Sequence, residues 1–415
     1  MNGYQMSARH QMSAADDGER VARAALTYLA EPGDPWLAAA VRRHGAPRAV
    51  AAIKEGRFPA SATVTDAAAR ALRRWRLRLA EIPQADDLTR LAGRGYRLLC
   101  PADSLWPTGL ADLADGEPYA LWVRGALTDL ATVAQRSLAI VGSRAATAYG
   151  SYVAAEIAAS VAGRGWAVIS GGAYGIDGCA HRGALSASGV TLAVMACGVD
   201  RPYPAGHKDL LDAVAATGAV ISEWPPGRPT GRLRFLVRNR VIAAMTSGTL
   251  VVEAGRRSGA LNTARHAAGL GRPLMAVPGP VTSDLSAGCH SIIRDWAGTL
   301  VTDADEVIER LSANGQDGQN GRDPMVRPPG PVPDAVPAAT SPRSHRGRAD
   351  LARDALDQAA ATVLDALPAR GAGMPTSDIA VRAGLEPKLV LAKLALLRVY
   401  DLAERTDHGW RASRG

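Results

Sequence analysis

The chain has 415 residues, a formal net charge of +8, 47% hydrophobic residues and 21% charged residues. This length accommodates two or three domains, and the apolar content excludes a wholly disordered protein. No stretch approaches the roughly 20 apolar residues of a membrane span, and the first residues lack the layout of a secretory signal. We therefore expect a multidomain, cytoplasmic protein without a membrane partner.

Cysteine and lysine usage excludes several classes of site. The cysteines lie far apart without a CxxC pair, which fits neither a disulfide framework nor a structural metal site. None of the four lysines is followed by Ser or Thr, which excludes the phosphate loop of P-loop ATPases. We expect no metal and no bound cofactor.

The N-terminal part of the chain predicts a helical module. Residues 1–15 are expected to be disordered, and residues 16–85 carry an Ala/Leu/Arg pattern interrupted by Pro and Gly turns. Two strands are predicted next, at 96–100 and 119–123, bounded by Pro101 and Gly125.

The central part, residues 90–311, predicts a Rossmann-like α/β domain. Short apolar runs alternate with amphipathic helical stretches, as a doubly wound, mainly parallel sheet covered on both faces requires. In such sheets the ligand lies outside the carboxyl ends of the strands. The runs that predict strands are 138–141, 167–170, 191–196, 219–222, 250–253 and 274–277.

The C-terminal part predicts a linker and a second small domain. Residues 312–350 are rich in Gly, Pro, Asn, Gln and Ser, which predicts a flexible linker. Residues 351–415 have the helix, glycine turn, helix and hairpin spacing of a winged helix. We expect this domain to be tethered rather than docked. Because leucines dominate its second helix, association with a partner is as consistent with the pattern as duplex reading.

Two glycine turns follow predicted strands, at 141–144 and 170–177. Glycines at a strand-to-helix turn let backbone N–H groups approach an anion, although they also serve simply to pack a strand tightly against a helix. Neither turn matches GxGxxG, so NAD binding loses its main support. The anion-binding candidates are Gly142, Ser143, Arg144, Ser170, Gly171, Gly172 and Gly175.

An arginine-rich tract lies between residues 227 and 242. It contains five arginines, no acidic residue and Phe235, one of two phenylalanines in the chain. A basic tract with an aromatic face is typical of single-strand binding, and the alternative is a solvated basic helix whose Phe235 turns into the core. The candidates for DNA contact are Arg232, Arg234, Phe235, Arg238, Asn239 and Arg240.

Two carboxylates invite a catalytic interpretation. Asp177 stands near a predicted helix start, where it complements the helix dipole and holds the glycine turn. Glu253 follows Ser247-Gly248-Thr249, which is faintly similar to the PGGxGT turn of Rossmann-like nucleotide phosphoribohydrolases but lacks its proline and second glycine. We therefore rank the enzyme hypothesis below DNA binding and assign both carboxylates structural roles at the site.

A series of motifs runs across roughly residues 95–311. They are Ile140–Arg144, Ser170–Asp177, Ala180–Leu185, Gly198–Asp200, Tyr203–Pro204, Ser222–Glu223, Arg238–Ala243, Val252–Ala254, Ser258–Ala264 and Val277–Pro280. In order and spacing this series resembles the DNA processing protein A family (DprA, also called Smf). The resemblance implies a protein, not known as an enzyme, that binds and protects single-stranded DNA and helps load the RecA recombinase in natural transformation.

The resemblance also implies flanking domains and a site. Family members often carry an N-terminal SAM-like helical domain and a C-terminal winged helix, and we expect a homodimer. The family pattern places the DNA pocket at the Gly142-Ser143-Arg144 turn and at the segment that ends at Arg240, with Gly279 as a structural residue. One departure is visible: Leu236 stands where many relatives have proline. A duplex-binding regulator acting through residues 351–415 remains a third hypothesis.

Overall fold

The computed structural model describes residues 14–58, 66–317, 358–368, 372–399 and 402–413. The predicted disordered segment 1–15 and linker 312–350 lie mostly outside these ranges. Helix α1 already begins at Ala14, and helix α13 continues to Asp317, past the predicted boundary at 311. The division into separate domains stays a prediction.

The N-terminal module consists of helices packed around a small apolar core. Helix α2 begins where the sequence places a cap followed by proline: the Asp34 carboxylate accepts the N–H groups of Trp36 and Leu37 at 3.0 and 3.2 Å. Trp75 is buried in the core and stacks on Phe58 at 5.8 Å between ring centroids. The helices are α1 (Ala14–Leu29), α2 (Pro35–His44), α3 (Ala46–Lys54), α4 (Asp66–Arg76) and α5 (Ala85–Gly93).

The central part forms a nine-stranded sheet that confirms the predicted α/β fold class. Strands β3 to β9 run parallel, and β1 and β2 add an antiparallel edge. The short strand β9 was not predicted. The strands are β1 (Tyr96–Leu99), β2 (Leu121–Arg124), β3 (Ser137–Val141), β4 (Ala167–Ser170), β5 (Thr191–Met195), β6 (Ala219–Ser222), β7 (Gly248–Val251), β8 (Leu274–Ala276) and β9 (Thr299–Leu300).

Helices cover both faces of this sheet. Successive residues of a strand point to opposite faces, so Ile140 packs with α7 and α8 whereas Val141 packs with α10 and α11. The helices of this part are α6 (Leu130–Gln135), α7 (Ala148–Gly163), α8 (Ile176–Ser186), α9 (Lys208–Thr217), α10 (Arg232–Met245), α11 (Ala260–Gly269), α12 (Ala287–Asp295) and α13 (Ala304–Asp317).

The strand order β1-β2-β6-β5-β4-β3-β7-β8-β9 reverses direction at β3. The chain winds from β3 through β4 and β5 toward β6, and it then crosses back to place β7 on the other side of β3. The loops that leave β3 and β7 therefore diverge and open a crevice at the carboxyl ends of the strands, where ligands of doubly wound sheets bind.

The described part of the C-terminal module has three helices and a two-stranded antiparallel sheet around its own apolar core. Gly384 ends the second helix in the left-handed conformation, with φ +61°, as a glycine cap permits. Assignment to the winged-helix class stays a prediction. The elements are α14 (Gln358–Ala366), α15 (Thr376–Ala383), α16 (Pro387–Val399), β10 (Ala403–Thr406) and β11 (Gly409–Ala412).

The expectation that this module is tethered without docking is wrong. The Asp365 carboxylate accepts the backbone N–H of Arg232 at 2.8 Å, at the start of α10. Glu386 forms an ion pair with Arg73 of α4, and the guanidinium of Arg78 lies against Gly384. The polar linker composition gave no information about these contacts, because they are made by residues on either side of the linker.

One carboxylate joins the N-terminal module to the central part. Glu31 accepts two hydrogen bonds from Arg234, at 2.7 and 3.0 Å, one from the Trp224 indole at 2.9 Å and one from Arg78 at 3.3 Å. Burial alone raises the pKa of this carboxyl, but the two guanidinium groups and their hydrogen bonds hold it well below its ordinary value.

This pairing predicts a specific acid sensitivity. Because the folded-state pKa of Glu31 is depressed, its contribution to the free energy of unfolding is present at neutral pH and is lost as the pH falls below the ordinary carboxyl value of 4.5. We expect Glu31→Gln to cost about 1 kcal/mol at pH 7, a figure kept small by solvent screening, and to flatten the pH dependence of stability below pH 4.5.

Urea unfolding of both proteins at several pH values measures this effect. Glu309→Gln, an exposed change on α13, is the control and should leave the pH dependence unaltered. Equal pH profiles for wild type and Glu31→Gln would contradict the assignment.

Candidate nucleic-acid interface

The crevice at the strand reversal holds a cavity of about 1250 Å³, here called the switch-point cavity. Its wall is built from residues 141–144 after β3, from one side of α10, and from residues 255–265, which follow β7 and enter α11. Each of these segments leaves or faces the carboxyl edge of the sheet. The cavity therefore follows directly from the strand order.

The switch-point cavity is strongly basic. Six arginines line it, against three aspartates: Asp177, Asp284 and Asp365. Five of these arginines are exposed and one, Arg238, is buried. Such a surface attracts a polyanion. The arginines are Arg144, Arg232, Arg238, Arg256, Arg257 and Arg265.

The turn after β3 places backbone and arginine together at the cavity. A Cβ on Gly142 would lie 2.5 Å from Ile176 and 2.8 Å from the Glu253 carbonyl, so only glycine fits. The N–H of Ser143 donates to that carbonyl at 2.7 Å, which fixes the turn. Arg144 then extends over the ring of Phe235, with 4.8 Å between guanidinium carbon and ring centroid.

The turn after β4 differs from the predicted anion cradle. The Asp177 carboxylate accepts the N–H groups of Gly171 and Ala173 at 3.1 and 3.4 Å, so the protein itself occupies the donors that an anion would need. Burial raises the pKa of this carboxyl. Gly175, at φ +73°, passes within contact of the Ser143 carbonyl and binds the two turns together.

The structure does not bring the other predicted residues of this turn to the cavity wall. The buried Ser170 hydroxyl donates to the Ile140 carbonyl at 2.6 Å. Gly171 and Gly172 lie behind Asp177 and Ala173, which face the cavity instead. This turn contributes shape rather than direct donors.

Helix α10 presents a stripe to the cavity with helical spacing. Phe235, Arg238, Asn239 and Ile242 lie at i, i+3, i+4 and i+7 and all line it. The helix runs without interruption through Leu236, whose side chain is exposed at the cavity. Phe235 is half-buried rather than part of the core, and its ring lies 5.4 Å from that of Tyr203.

Arg238 and Asn239 are held in place by the protein. Arg238 donates to the carbonyl oxygens of Gly171, at 2.9 Å, and Val194, and its Nε donates to Asn239 at 3.1 Å. Burial lowers the pKa of the Arg238 guanidinium to about 10, which leaves it charged at neutral pH. The Asn239 amide donates to Gly259 and Asn262, both at 3.2 Å, and thereby joins α10 to α11.

Arg234 and Arg240, two of the predicted DNA contacts, are placed elsewhere. Arg240 makes a buried, two-pronged ion pair with Glu223, with both hydrogen bonds at 2.6 Å. Arg234 is engaged with Glu31 on the side of α10 that faces the N-terminal module. Neither lines the switch-point cavity, because both fall outside the helical stripe that faces it.

Glu253 and Gly279 also lie outside the cavity wall. The buried Glu253 carboxylate accepts the Thr147 N–H at 2.9 Å and the Thr147 hydroxyl at 2.5 Å, at the start of α7. A Cβ on Gly279 would lie 2.2 Å from the Ser286 hydroxyl, so the position requires glycine. Both residues shape neighbouring loops.

The sequence reasoning missed the segment after β7. Arg256, Arg257, Ser258 and Arg265 line the cavity, and so does Asn262. The rule that ligands bind beyond the carboxyl ends of strands points to residues that follow the apolar run 250–253. The helical spacing of Phe235, Arg238, Asn239 and Ile242 places them on one side of α10, and Arg234 falls outside this stripe. The sequence alone therefore contained enough information to leave Arg234 out of the predicted site.

The described residues offer neither a metal site nor a membrane-spanning helix. Within these ranges there is no group of three or more His, Cys, Asp or Glu side chains placed to hold a metal ion. No described helix combines the length and the apolar character needed to cross a membrane.

Comparison with known proteins identifies relatives of the whole chain. The family described as DNA recombination-mediator protein A matches residues 97–312. The DNA processing protein DprA of Mycobacterium tuberculosis H37Rv is 43% identical over 399 residues, which cover 94% of this chain and 93% of that protein. Protein Smf of Escherichia coli K12 is 41% identical over 215 residues, which cover 51% of this chain and 56% of that protein.

A solved structure agrees with these matches. The X-ray structure of DNA processing protein A (DprA) from Streptococcus pneumoniae has a TM-score of 0.57 and 25% identity, and the alignment covers 70% of this chain and 97% of that one. The sequence match to the M. tuberculosis relative extends over nearly the full length of both proteins. The chain therefore belongs to the DNA recombination-mediator protein A family.

Proposed function

We propose that the chain binds single-stranded DNA in the switch-point cavity and acts as a recombination mediator. The observation that carries this proposal is the concentration of exposed arginines beside an accessible aromatic ring at the strand reversal. Arginine forks bind phosphates, and their spread around a concave wall suits a flexible polyanion better than a single small ligand.

The aromatic residues favour a single strand over a duplex. Phe235 is half-buried, with Arg144 above its ring and Tyr203 beside it. In a duplex the faces of the bases are covered by their neighbours, whereas a single strand offers them for stacking. The cavity of about 1250 Å³ exceeds the 300–1,000 Å³ of typical small-molecule pockets and has room for more than one nucleotide.

We assign the DNA contacts in two groups. Arg144, Arg256, Arg257 and Arg265 contact phosphates through exposed guanidinium groups. The Ser143 hydroxyl adds a donor, whereas the Ser143 N–H and carbonyl are already used by Glu253 and Ile176. Arg238 and Asn239 support the wall from behind, because their hydrogen bonds are largely used within the protein. We leave Arg234 and Arg240 out of the contact set, since carboxylates already pair with them.

The enzyme hypothesis receives no support from Glu253. A catalytic carboxylate must lie within reach of the reacting group. The Glu253 carboxylate instead points to the start of α7, where Gly150 packs against it and Thr147 occupies its oxygens. We propose that the protein acts by binding and not by catalysis.

We further propose that the protein protects the strand and helps load RecA in recombination and natural transformation, and that it works as a cytoplasmic homodimer. These proposals rest on membership of the family, and no described contact carries them by itself. RecA loading would be tested by the rate at which RecA filaments form on oligonucleotides coated with a single-strand-binding protein.

Arg144→Ala is expected to weaken the binding of oligothymidine and to reduce the slope of log K against log salt by about one, as loss of one phosphate contact should. Its thermal stability should stay close to wild type because the side chain is exposed. Fluorescence anisotropy across a salt series, with single-stranded and duplex probes, measures both affinity and strand preference.

The matched control is Arg136→Ala. Arg136 is also exposed and also lies over an aromatic ring, that of Trp166 at 5.4 Å, but it stands next to the amino end of β3. An equal loss of affinity in both variants, or tighter binding of duplex than of single strand, would refute the proposed site.

Phe235→Ala is expected to cost roughly 1–3 kcal/mol of binding free energy while the salt slope stays close to wild type, because stacking is lost and no phosphate contact is removed. Tyr152→Ala, which removes an aromatic side chain that is 68% exposed on α7 and lies outside the cavity wall, is the control. The same anisotropy titration checks this result. A fall in melting temperature without a selective DNA defect would show that Phe235 has only a packing role.

Glu253→Ala is expected to lower the free energy of unfolding by about 1–3 kcal/mol, because it leaves the N–H of Thr147 without its acceptor. Glu156→Gln, an exposed change on α7, the helix that Thr147 caps, should leave the free energy of unfolding unchanged. Chemical unfolding measures both, and chromatography tests for free base released from a nucleoside monophosphate. Base release by wild type that Glu253→Gln abolishes would establish the enzyme hypothesis instead.

A further inference from the structure

A second cavity, of about 580 Å³, lies where the N-terminal module, the central part and the C-terminal module meet, and we call it the junction cavity. Six arginines line it, contributed by all three parts, against three acidic residues: Glu31, Asp34 and Asp365. The positive charge is therefore in excess. The arginines are Arg70, Arg74, Arg78, Arg228, Arg234 and Arg382.

The acidic residues of the junction cavity are already occupied. Glu31 forms ion pairs with both Arg78 and Arg234. Asp34 caps α2 and also accepts the Trp75 indole at 3.3 Å, and its distance to the Arg74 guanidinium is 3.9 Å. The Asp365 carboxylate accepts a hydrogen bond from the backbone N–H of Arg232, at the start of α10. Arg228 pairs with Glu81, which leaves Arg70 and Arg382 without an ion-pair partner among the described residues.

Two arginines have unused donors in this cavity. Arg78 is 5% exposed, and among the described residues its Nε has no hydrogen-bond partner. Arg382, on α15, is half-buried and forms no ion pair within the described part of the chain. Burial lowers the pKa of Arg382, and the charged groups that lower it further are Arg201, Arg228 and Arg234. A half-buried arginine whose charged neighbours are arginines favours a bound anion.

The geometry points to a phosphate-bearing ligand in the junction cavity, held by Arg382 and Arg78 with Arg70 at the rim. Guanidinium forks match the oxygens of a phosphate. Leu385 and the exposed Leu389 supply an apolar wall against which a base can lie. The volume falls within the 300–1,000 Å³ typical of small-molecule sites.

Two sources share this chemistry. A free nucleotide fits the cavity on its own, and a DNA strand that leaves the switch-point cavity reaches it across Thr230 and Gly231, which line both cavities. Because all three parts of the chain line the site, a ligand bound there stabilises their docked arrangement. The two cavities have no lining arginine in common, so the free-nucleotide source does not depend on the proposed function, whereas the DNA-strand source rests on it.

The test uses the full chain and thermal unfolding with pyrophosphate and with ADP, compared with chloride at equal ionic strength. We expect both ligands to raise the melting temperature of wild type. Arg382→Gln should weaken the apparent affinity by about tenfold, as loss of a charge-assisted contact does. Arg70→Gln, an exposed change in the N-terminal module, is a second variant and should also weaken the apparent affinity. Arg398→Gln, an exposed change on α16 outside the cavity, is the control.

Two further arms identify the source and separate the two cavities. Weaker binding of long but not short oligothymidines by Arg382→Gln assigns the site to the DNA strand, and an unchanged oligonucleotide affinity assigns it to a free nucleotide. Arg144→Ala should keep the full response to pyrophosphate. The inference is overturned if neither ligand stabilises wild type beyond chloride, if Arg398→Gln loses the response as strongly as Arg382→Gln, or if Arg144→Ala alone abolishes it.

Discussion

The arrangement of the switch-point cavity wall depends on one buried guanidinium. Arg238 reaches from α10 to the carbonyl oxygens of Gly171 and Val194, at the carboxyl ends of β4 and β5. A helix tied to two strand ends by a single side chain cannot rotate without breaking buried hydrogen bonds. Arg238 therefore decides which side of α10 faces the switch-point cavity, and the position of Phe235 follows from it.

The opposite side of the same helix meets the other modules. Leu233, Arg234 and Val237 line the junction cavity, whereas Phe235 and Asn239 line the switch-point cavity. Because packed helices move as rigid bodies, a displacement of α10 on one side alters the other side as well. The contact between Asp365 and the start of α10 places the C-terminal module at this shared element.

The sequence predicted the sheet well and the site only in part. Strands such as 167–170 are local apolar runs, so a short window contains their whole signal. Whether an arginine is paired within the protein or open to a ligand depends instead on partners that no local sequence pattern reveals. Glu31, for example, lies 203 positions from Arg234. For the same reason the sequence could not show that Asp177 fills the glycine turn from within. Arg256 and Arg257 are missing from the predicted site for a different reason. Both follow a predicted strand, so the position of the strand already pointed to them.

Arginine has two roles in this chain: some guanidinium groups hold elements together, and others are exposed to ligands. The neighbouring side chains determine which role a given arginine has. Where a carboxylate lies opposite, as for Arg240 and Glu223, the guanidinium is buried and holds elements together. Arg144 forms no ion pair within the described part of the chain, and its exposed guanidinium is the kind of group that the proposed phosphate contacts need. A planar, weakly hydrated guanidinium suits both tasks, whereas lysine suits the first poorly. Under the proposed function, the affinity for nucleic acid depends on the exposed arginines around the two cavities, and the net charge of +8 is a poor measure of it.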